Sequence, residues 1–148
     1  MRGIGALHSS DEIKTVQTAE IVGETIGLPV NAVHDLREHE RHGTPIVEAE
    51  DWRSTVIESI RNQNEHIYGS EAVGTARMRF GAAVERSMET SGADQTVAVI
   101  AHGTVISTFV AELLGTDPVP IWESLGLPGL IEIEWPRPSK ILTQLNFE

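Results

Sequence analysis

Residues 96–101 read Thr-Val-Ala-Val-Ile-Ala and run straight into His102-Gly103-Thr104. A near-continuous apolar run of this length is expected of a parallel strand covered on both faces. Apolar residues then recur at Ile106, Phe109, Val110 and Leu113, one face of a helix that should stop at Gly115. A buried strand feeding a helix through a histidine–glycine turn points to a fold in which strands and helices alternate.

The start of the chain repeats the arrangement. Gly3 to His8 reads as a short strand, and Ser9-Ser10-Asp11-Glu12 as a helix start. Ser9 and Glu12 have capping-box spacing, with Ser10 and Asp11 as alternative caps. Ile13, Val16, Ala19, Val22 and Ile26 give the helix an apolar face, and Gly27 with Pro29 behind it ends it. Residues 29–34 predict a short strand and 35–45 a charged loop. Helical stretches follow near 46–62 and 70–91, with a turn at Tyr68-Gly69-Ser70. A Pro-rich connection after Gly115 leads to two further strands, Gly129 to Trp135 and Lys140 to Phe147. No repeat, low-complexity tract or linker divides the sequence. The expectation is one α/β domain over residues 1–148, three-layered, with a largely parallel sheet.

Composition narrows the function. A chain of 148 residues can bury roughly 68–70% of its unfolded surface, enough for a real core. Eleven basic residues against 22 acidic ones leave a net charge of −11, a field that disfavours nucleic acid and anionic membranes as partners. The absence of cysteine excludes a disulfide scaffold, a thiolate metal site and a cysteine nucleophile. The opening residues lack the apolar length of a signal peptide, and no stretch approaches the ~20 apolar residues of a membrane span. A cytoplasmic protein is expected.

Chemistry concentrates at the two strand–helix junctions. If both strands run parallel, both loops lie at the carboxyl edge of the sheet, where α/β proteins bind ligands. Each loop also offers a helix N-terminus, whose free N–H groups favour an anion. Lys14 sits in a first helical turn, where a cation opposes the helix dipole; an anion bridging it to the helix end accounts for it, against the alternative of a solvated lysine. His102, between a buried strand and Gly103, is placed to exchange a proton near neutral pH; a structural hydrogen bond at the strand end is the competing reading. Residues 34–43 (HDLREHERHG) hold three histidines and several carboxylates. A metal site on His34, His39 and His42 is the weakest reading, because the spacing fits no zinc pattern and arginines are interleaved. No metal and no cofactor is expected.

These residues resemble the histidine phosphatase superfamily, also called phosphoglycerate-mutase-like. Ser9 to Glu20 is similar to its S-S-x-x-x-R-A-x-Q-T-A-E segment, Leu36-Arg37-Glu38 with Gly43 to its L-x-E loop, and Val97 to Gly103 to its second histidine motif. Gly69-Ser70-Glu71 with Arg79-Phe80 resembles the stretch between. The resemblance implies a phosphoglycerate-mutase-like fold and a phosphomonoester hydrolase acting through a phosphohistidine, with a small phosphorylated metabolite as partner. It makes Lys14 a phosphate-binding residue, where an arginine is usual and the bidentate fork is lost. Glu38 becomes the general acid and His102 the second catalytic histidine, with Ser9 and Thr104 at the phosphate-binding rim.

The family's nucleophilic histidine lies in an R-H-G motif ending a central strand ahead of the Ser-Ser segment. Only eight residues precede Ser9, so that strand is expected to be missing, the domain N-terminally truncated, and the covalent route closed in this chain. Arg41-His42-Gly43 spells the same tripeptide in a charged loop and is read as coincidence. A lost central strand would leave unpaired sheet edges, which invite a homodimer. Two explanations remain: a reading frame that starts upstream, or a noncatalytic anion-binding relative. The clean loss of one block favours the first. A chain extended upstream through R-H-G should therefore hydrolyse an aryl phosphate without added metal and trap a phosphohistidine. Removing Glu38 from it should slow the rate by ~10²–10⁴.

Overall fold

The central strand is β1 (Ile4–Ser10). It pairs in parallel with β2 (Val30–Val33) on one side and β3 (Thr96–Ile100) on the other. The register sets Leu7 opposite Val30 and Ala98, and Ser9 opposite Ala32 and Ile100. The structure is a computed structural model that describes residues 3–147. Helix α1 (Ile13–Ile26) links β1 to β2. A 3₁₀ turn (His34–Leu36), α2 (Ala49–Arg61) and α3 (Val73–Ser91) lead on to β3.

Strand alternation separates the layers. Leu7 lies under α1, where the helix comes so close that a Cβ on Gly23 would stand 3.4 Å from the Leu7 side chain and 2.7 Å from the Leu28 carbonyl. His8 faces the other way and meets the Ser91 hydroxyl of α3 at 3.1 Å. The expected three layers are therefore α1, the sheet and α3. Gly27 ends α1 in the left-handed conformation at φ 72°, a backbone geometry that only glycine adopts freely.

Three expectations need correction, and the pairing of the C-terminal strands, left open by the sequence, is now defined. The Ser9–Glu12 capping box does not form: Glu12 is itself the N-cap without a side-chain cap bond, and the Ser9 hydroxyl donates to the Ser10 carbonyl. β3 is covered only in part on its two faces: α1 and α3 both reach it, yet its five residues are all half-buried, and among the described residues it pairs only with β1. The C-terminal strands do not extend the parallel sheet. β4 (Gly129–Ile133) and β5 (Ile141–Asn146) form a separate antiparallel hairpin.

Helix α4 (Gly103–Leu114) is also turned relative to its predicted stripe. Val105, Thr108, Val110 and Ala111 are buried, whereas Ile106, Phe109 and Leu113 are only half-buried. The helix is packed from more than one side. Val105 joins Leu36, Phe80 and Ala83 in one core, while Val110 and Ala111 join Ile121 and the hairpin residues Ile131, Ile133 and Ile141 in another. Small hydroxyl residues fit such a helix because their side chains bond backward along it, as Thr108 Oγ1 does to the Thr104 carbonyl at 2.8 Å.

The Pro-rich connection holds a short helix, α5 (Pro118–Ser124). Asp117 caps it by accepting the Val119 N–H at 2.9 Å, and Pro118 suits its first turn. Among the described residues no helix is long and apolar enough to cross a membrane.

One turn fastens the charged loop to the body. Gly69, at φ 76°, lies so near the Glu40 carbonyl that an added Cβ would fall 1.9 Å from its oxygen, and the adjoining Ser70 N–H donates to that same oxygen at 3.1 Å. Gly69→Ala should destabilise the fold by about 1–3 kcal/mol from backbone strain alone, with the clash adding to this. A urea midpoint unchanged from the parent chain would show that the turn does not hold the loop.

Candidate active site

Because β1 and β3 are parallel neighbours, the residues that follow them emerge side by side. Ser10 to Glu12 leads into α1, and His102 is the N-cap of α4. Ser10 is on the same face of β1 as His8, opposite to Leu7 and Ser9. His102 Nε2 accordingly lies 2.9 Å from Ser10 Oγ and 2.7 Å from Glu12 Oε2. A carboxylate only accepts, so Nε2 carries the proton and donates it toward Glu12.

Glu38 approaches from the loop after β2. Its carboxylate sits on the first turn of α4, accepting the Thr104 N–H at 3.2 Å, the Val105 N–H at 3.3 Å and the His39 N–H at 2.9 Å. Its own N–H donates to Glu12 Oε2 at 3.1 Å, so one Glu12 oxygen bridges His102 and the Glu38 backbone. Arg79 of α3 fixes this loop. Its guanidinium donates to the carbonyls of Asp35, Arg37 and Glu38 and to Glu71 Oε1. Glu71 in turn accepts the Glu40 N–H, and its carbonyl accepts from His39 Nε2 at 2.6 Å.

Burial pushes the His102 ring below the usual histidine range. Glu38 and Glu12 pull it up but do not overcome this, and the positive charges of Lys14 and Arg41 add to the lowering. Lys14 is exposed in the first turn of α1, with its charge felt at His102. Arg41 stands with Nη2 3.6 Å from Glu38 Oε2. At the rim, Asp11 is held below the ordinary carboxylate range chiefly by Arg37, whose Nε donates to it at 2.5 Å, with His34 at 3.0 Å on its other oxygen.

The structure thus brings Lys14, Glu38, His102 and the Thr104 backbone to one edge. Ser9 is fully buried on the opposite face of β1 with its hydroxyl committed to the backbone. The Thr104 side chain is buried too, and its hydroxyl has no hydrogen-bond partner. Ser10, Glu12, Arg41 and Arg79 were not singled out as site residues from sequence. Strand alternation was the available signal for Ser10, and the capping-box reading gave Glu12 a different task. The three histidines of the charged loop do not converge: His34 meets Asp11, His39 meets the Glu71 carbonyl, and His42 points outward beside Glu40. Among the described residues no three metal-ligating side chains are grouped to hold an ion.

The profile of the histidine phosphatase superfamily (branch 1) matches residues 1–147. The chain belongs to the histidine phosphatase superfamily. Solved structures of this superfamily member's relatives share its fold. Mycobacterial glucosyl-3-phosphoglycerate phosphatase with inorganic phosphate is 28% identical at a TM-score of 0.62, over 84% of this chain and 65% of its own. A protein described as mycobacterial hydrolase 2 is also 28% identical, at 0.60, over 83% of this chain and 57% of its own. YhfR of Bacillus stearothermophilus, at 21% identity and 0.62, covers 89% and 69% and shows likeness of fold. No curated protein matches the chain in sequence. The superfamily domain described here therefore spans about 65% of the phosphate-bound relative.

Two buried histidines give the domain an acid-sensitive side. Burial lowers His8, which bonds Asn31 and Ser91, as it lowers His102. Between their lowered values and the ordinary 6.5, the unfolded chain binds protons that the folded one refuses, so stability rises with pH across that window. Thermal melts should show Tm falling from pH 7 to pH 5, and His8→Gln should flatten the slope. A Tm independent of pH over that range would contradict the assignment of both rings as buried and neutral.

Proposed function

We propose that this domain is a phosphomonoester hydrolase of the phosphohistidine type whose phosphoryl pocket is present but whose covalent step is closed in this chain. The supporting observation is the meeting of His102, Glu38 and the first N–H groups of α4 at one sheet edge, within the field of Lys14. A helix N-terminus beside a lysine and a histidine suits a phosphoryl dianion.

The roles follow from position. Lys14 binds the phosphoryl oxygens as a point charge. His102 donates from Nε2 to the transferred group. An arriving phosphoryl oxygen takes the Thr104 and Val105 N–H groups that Glu38 now occupies; where a nucleophile is supplied and bonds to phosphorus, the displaced Glu38, in its protonated form, gives its proton to the leaving oxygen as the P–O bond breaks. Glu12 competes for the same ground, since its carboxylate holds His102 Nε2. The ligand is a small phosphorylated metabolite. Glucosyl-3-phosphoglycerate phosphatase, the relative bound to phosphate, makes sugar-acid phosphates reasonable first probes.

A phosphohistidine needs a second imidazole facing His102. The other five histidines are engaged elsewhere: His8 with Asn31 and Ser91, His34 with Asp11, His39 with Glu71, His42 with Glu40 and His66 with the Gly69 carbonyl. This favours a second reading for the chain by itself, a noncatalytic anion-binding domain.

Calorimetry with phosphate and vanadate tests the pocket. Weak binding is expected, reduced about tenfold or more by Lys14→Ala, the scale of one charge-assisted contact. Glu12→Gln should strengthen it several-fold by removing the competing charge, and His42→Ala should leave it unchanged. Binding lost with His42 and kept without Lys14 would move the site to the charged loop. Incubation with an aryl phosphate should give neither turnover nor an acid-labile phosphoprotein. Turnover that depends on His102 would show that the covalent step is open after all.

A further inference from the structure

The parallel sheet has two outer edges, and they differ. β2 has four residues, begins just after Pro29, and lies beside a groove whose lining includes Glu20 and Glu24. A short strand, a proline and nearby charge are devices that keep a sheet edge from pairing with another chain. β3 has none of them on its own strand. Residues 95–101 read Gln-Thr-Val-Ala-Val-Ile-Ala, without charge, proline or glycine. The irregularity of register in the β1–β3 pair lies at Gly5 of β1, away from the free side. Among the described residues no other strand and no loop backbone hydrogen-bonds to that side of β3.

The side chains along this edge are all half-buried. Val99 stands beside His8, on the face turned to α3, and packs against the core that holds Phe80; Val97 shares that face. Ala98 stands beside Leu7, on the face turned to α1. Read outward from Ala98, the strand nearly mirrors itself, with a valine on each side and then Thr96 and Ile100. A two-fold interface sets one patch against itself with its residues reversed. Antiparallel pairing centred on Ala98 therefore opposes Val97 to the second copy's Val99, Val99 to its Val97, and Thr96 to its Ile100. These are the β-branched cross-strand pairs that sheets favour, and the four valines lie together on one face.

We propose that β3 is a self-association edge, at which two copies of this chain pair their β3 strands antiparallel about an axis through Ala98, joining the three strands of each into one sheet. Charge supports this edge over the other. Each copy carries −11, and pairing through β2 would bring Glu20 and Glu24 of both copies together, whereas the β3 edges meet without charge. Area sets the strength. An edge of five residues covers well under the roughly 800 Å² per partner of a standard interface, so the dimer belongs with assemblies weaker than about 1 µM. Because the pairing is antiparallel, the two candidate sites lie at opposite ends of the joined sheet, and the interface is independent of the phosphoryl reading.

Sedimentation equilibrium from about 10 µM to about 1 mM, the range of such weak contacts, should show the mean mass rising from one chain toward two. Added salt should steepen the rise by screening two acidic copies from each other. Val97→Lys, the guard that natural edges use, should raise the midpoint about tenfold or more, since it strikes two symmetric pairs. Ala32→Lys, at an exposed position of β2, should leave it unchanged. A second measurement does not depend on how Val97→Lys folds. Ala98→Cys places a single thiol in a chain without cysteine, directly opposite its own copy. Cα atoms so opposed stand about 4.5–5.5 Å apart, within the span of a disulfide. With oxidised glutathione it should cross-link about tenfold or more faster than Ala32→Cys or Thr96→Cys, because only a residue on the axis faces itself. A mass that stays at one chain throughout, association abolished by Ala32→Lys and not by Val97→Lys, or equal cross-linking at 98 and 32 would overturn the proposal.

Discussion

The site depends on one contact, the Glu38 carboxylate seated on the N-terminus of α4. The first turn of a helix leaves N–H groups without partners inside the helix. His102, the N-cap, has its side chain turned to Ser10 and Glu12 and offers α4 no cap. Glu38 fills that need from 66 residues away. A charged acceptor on backbone N–H groups contributes roughly 1.5–3 kcal/mol when sheltered, and only 10% of this side chain is exposed. The same contact joins the loop after β2 to the turn after β3, so the second strand of the fold and the last helix of its parallel half are fixed to each other through the residue proposed as the general acid. Arg79 and Glu71 then hold the loop at enough points that the carboxylate has one resting place.

Much of this was legible in the sequence because it was local. Gly27 and Gly115 ended their helices where the residue pattern stopped, and the apolar run at 96–100 did form a strand. The convergence of Lys14 and His102 followed from two strand–helix units being parallel, which places their loops at one edge. Other features depended on neighbours distant in the chain. How deeply β3 is buried depends on the helices and strands that stand beside it, and an apolar run carries no information about those. The face α4 buries is set by two groups of neighbours, which removes the single stripe that helical periodicity detects. Ser9 and Ser10 differ by one position and so by one face of the sheet; only the orientation of Leu7 toward α1 tells which of them reaches His102. Asp117 and Pro118 carried a local signal for α5 that composition obscured, since a Pro-rich segment was read as connection rather than as a helix start.

Charge inside the site runs against charge outside it. The chain is acidic overall, at −11, yet Lys14, Arg41 and Arg37 gather around His102 and the rim. Within this local field two carboxylates take the places that an incoming anion would want, Glu12 on the histidine and Glu38 on the helix. The resting pocket is thus already neutralised by its own chain. Affinity for an external anion is the difference between two similar electrostatic arrangements, and substitutions at Glu12 or Glu38 alter the competitor as well as the site.

Helix α4 belongs to two cores at once. One side is shared with Leu36, Ala76 and Phe80 beneath the parallel sheet, and the other with α5 and the β4–β5 hairpin. Among the described residues the hairpin has no strand partner in the parallel sheet, so it is attached by its packing on α4 and α5 and by hydrogen bonds from Gln144 and Asn146 to Ser124 at the end of α5. Motions that loosen α5 and the hairpin therefore need not break a single hydrogen bond of the β2–β1–β3 ladder. In amide exchange this predicts two tiers of protection: β1, in the middle of the ladder, retains its hydrons until the whole domain opens, while β4 and β5 exchange through a smaller opening. Since the N-terminus of α4 carries the candidate site and its middle carries the hairpin, the helix that frames the pocket is also the member through which that looser half of the molecule is felt.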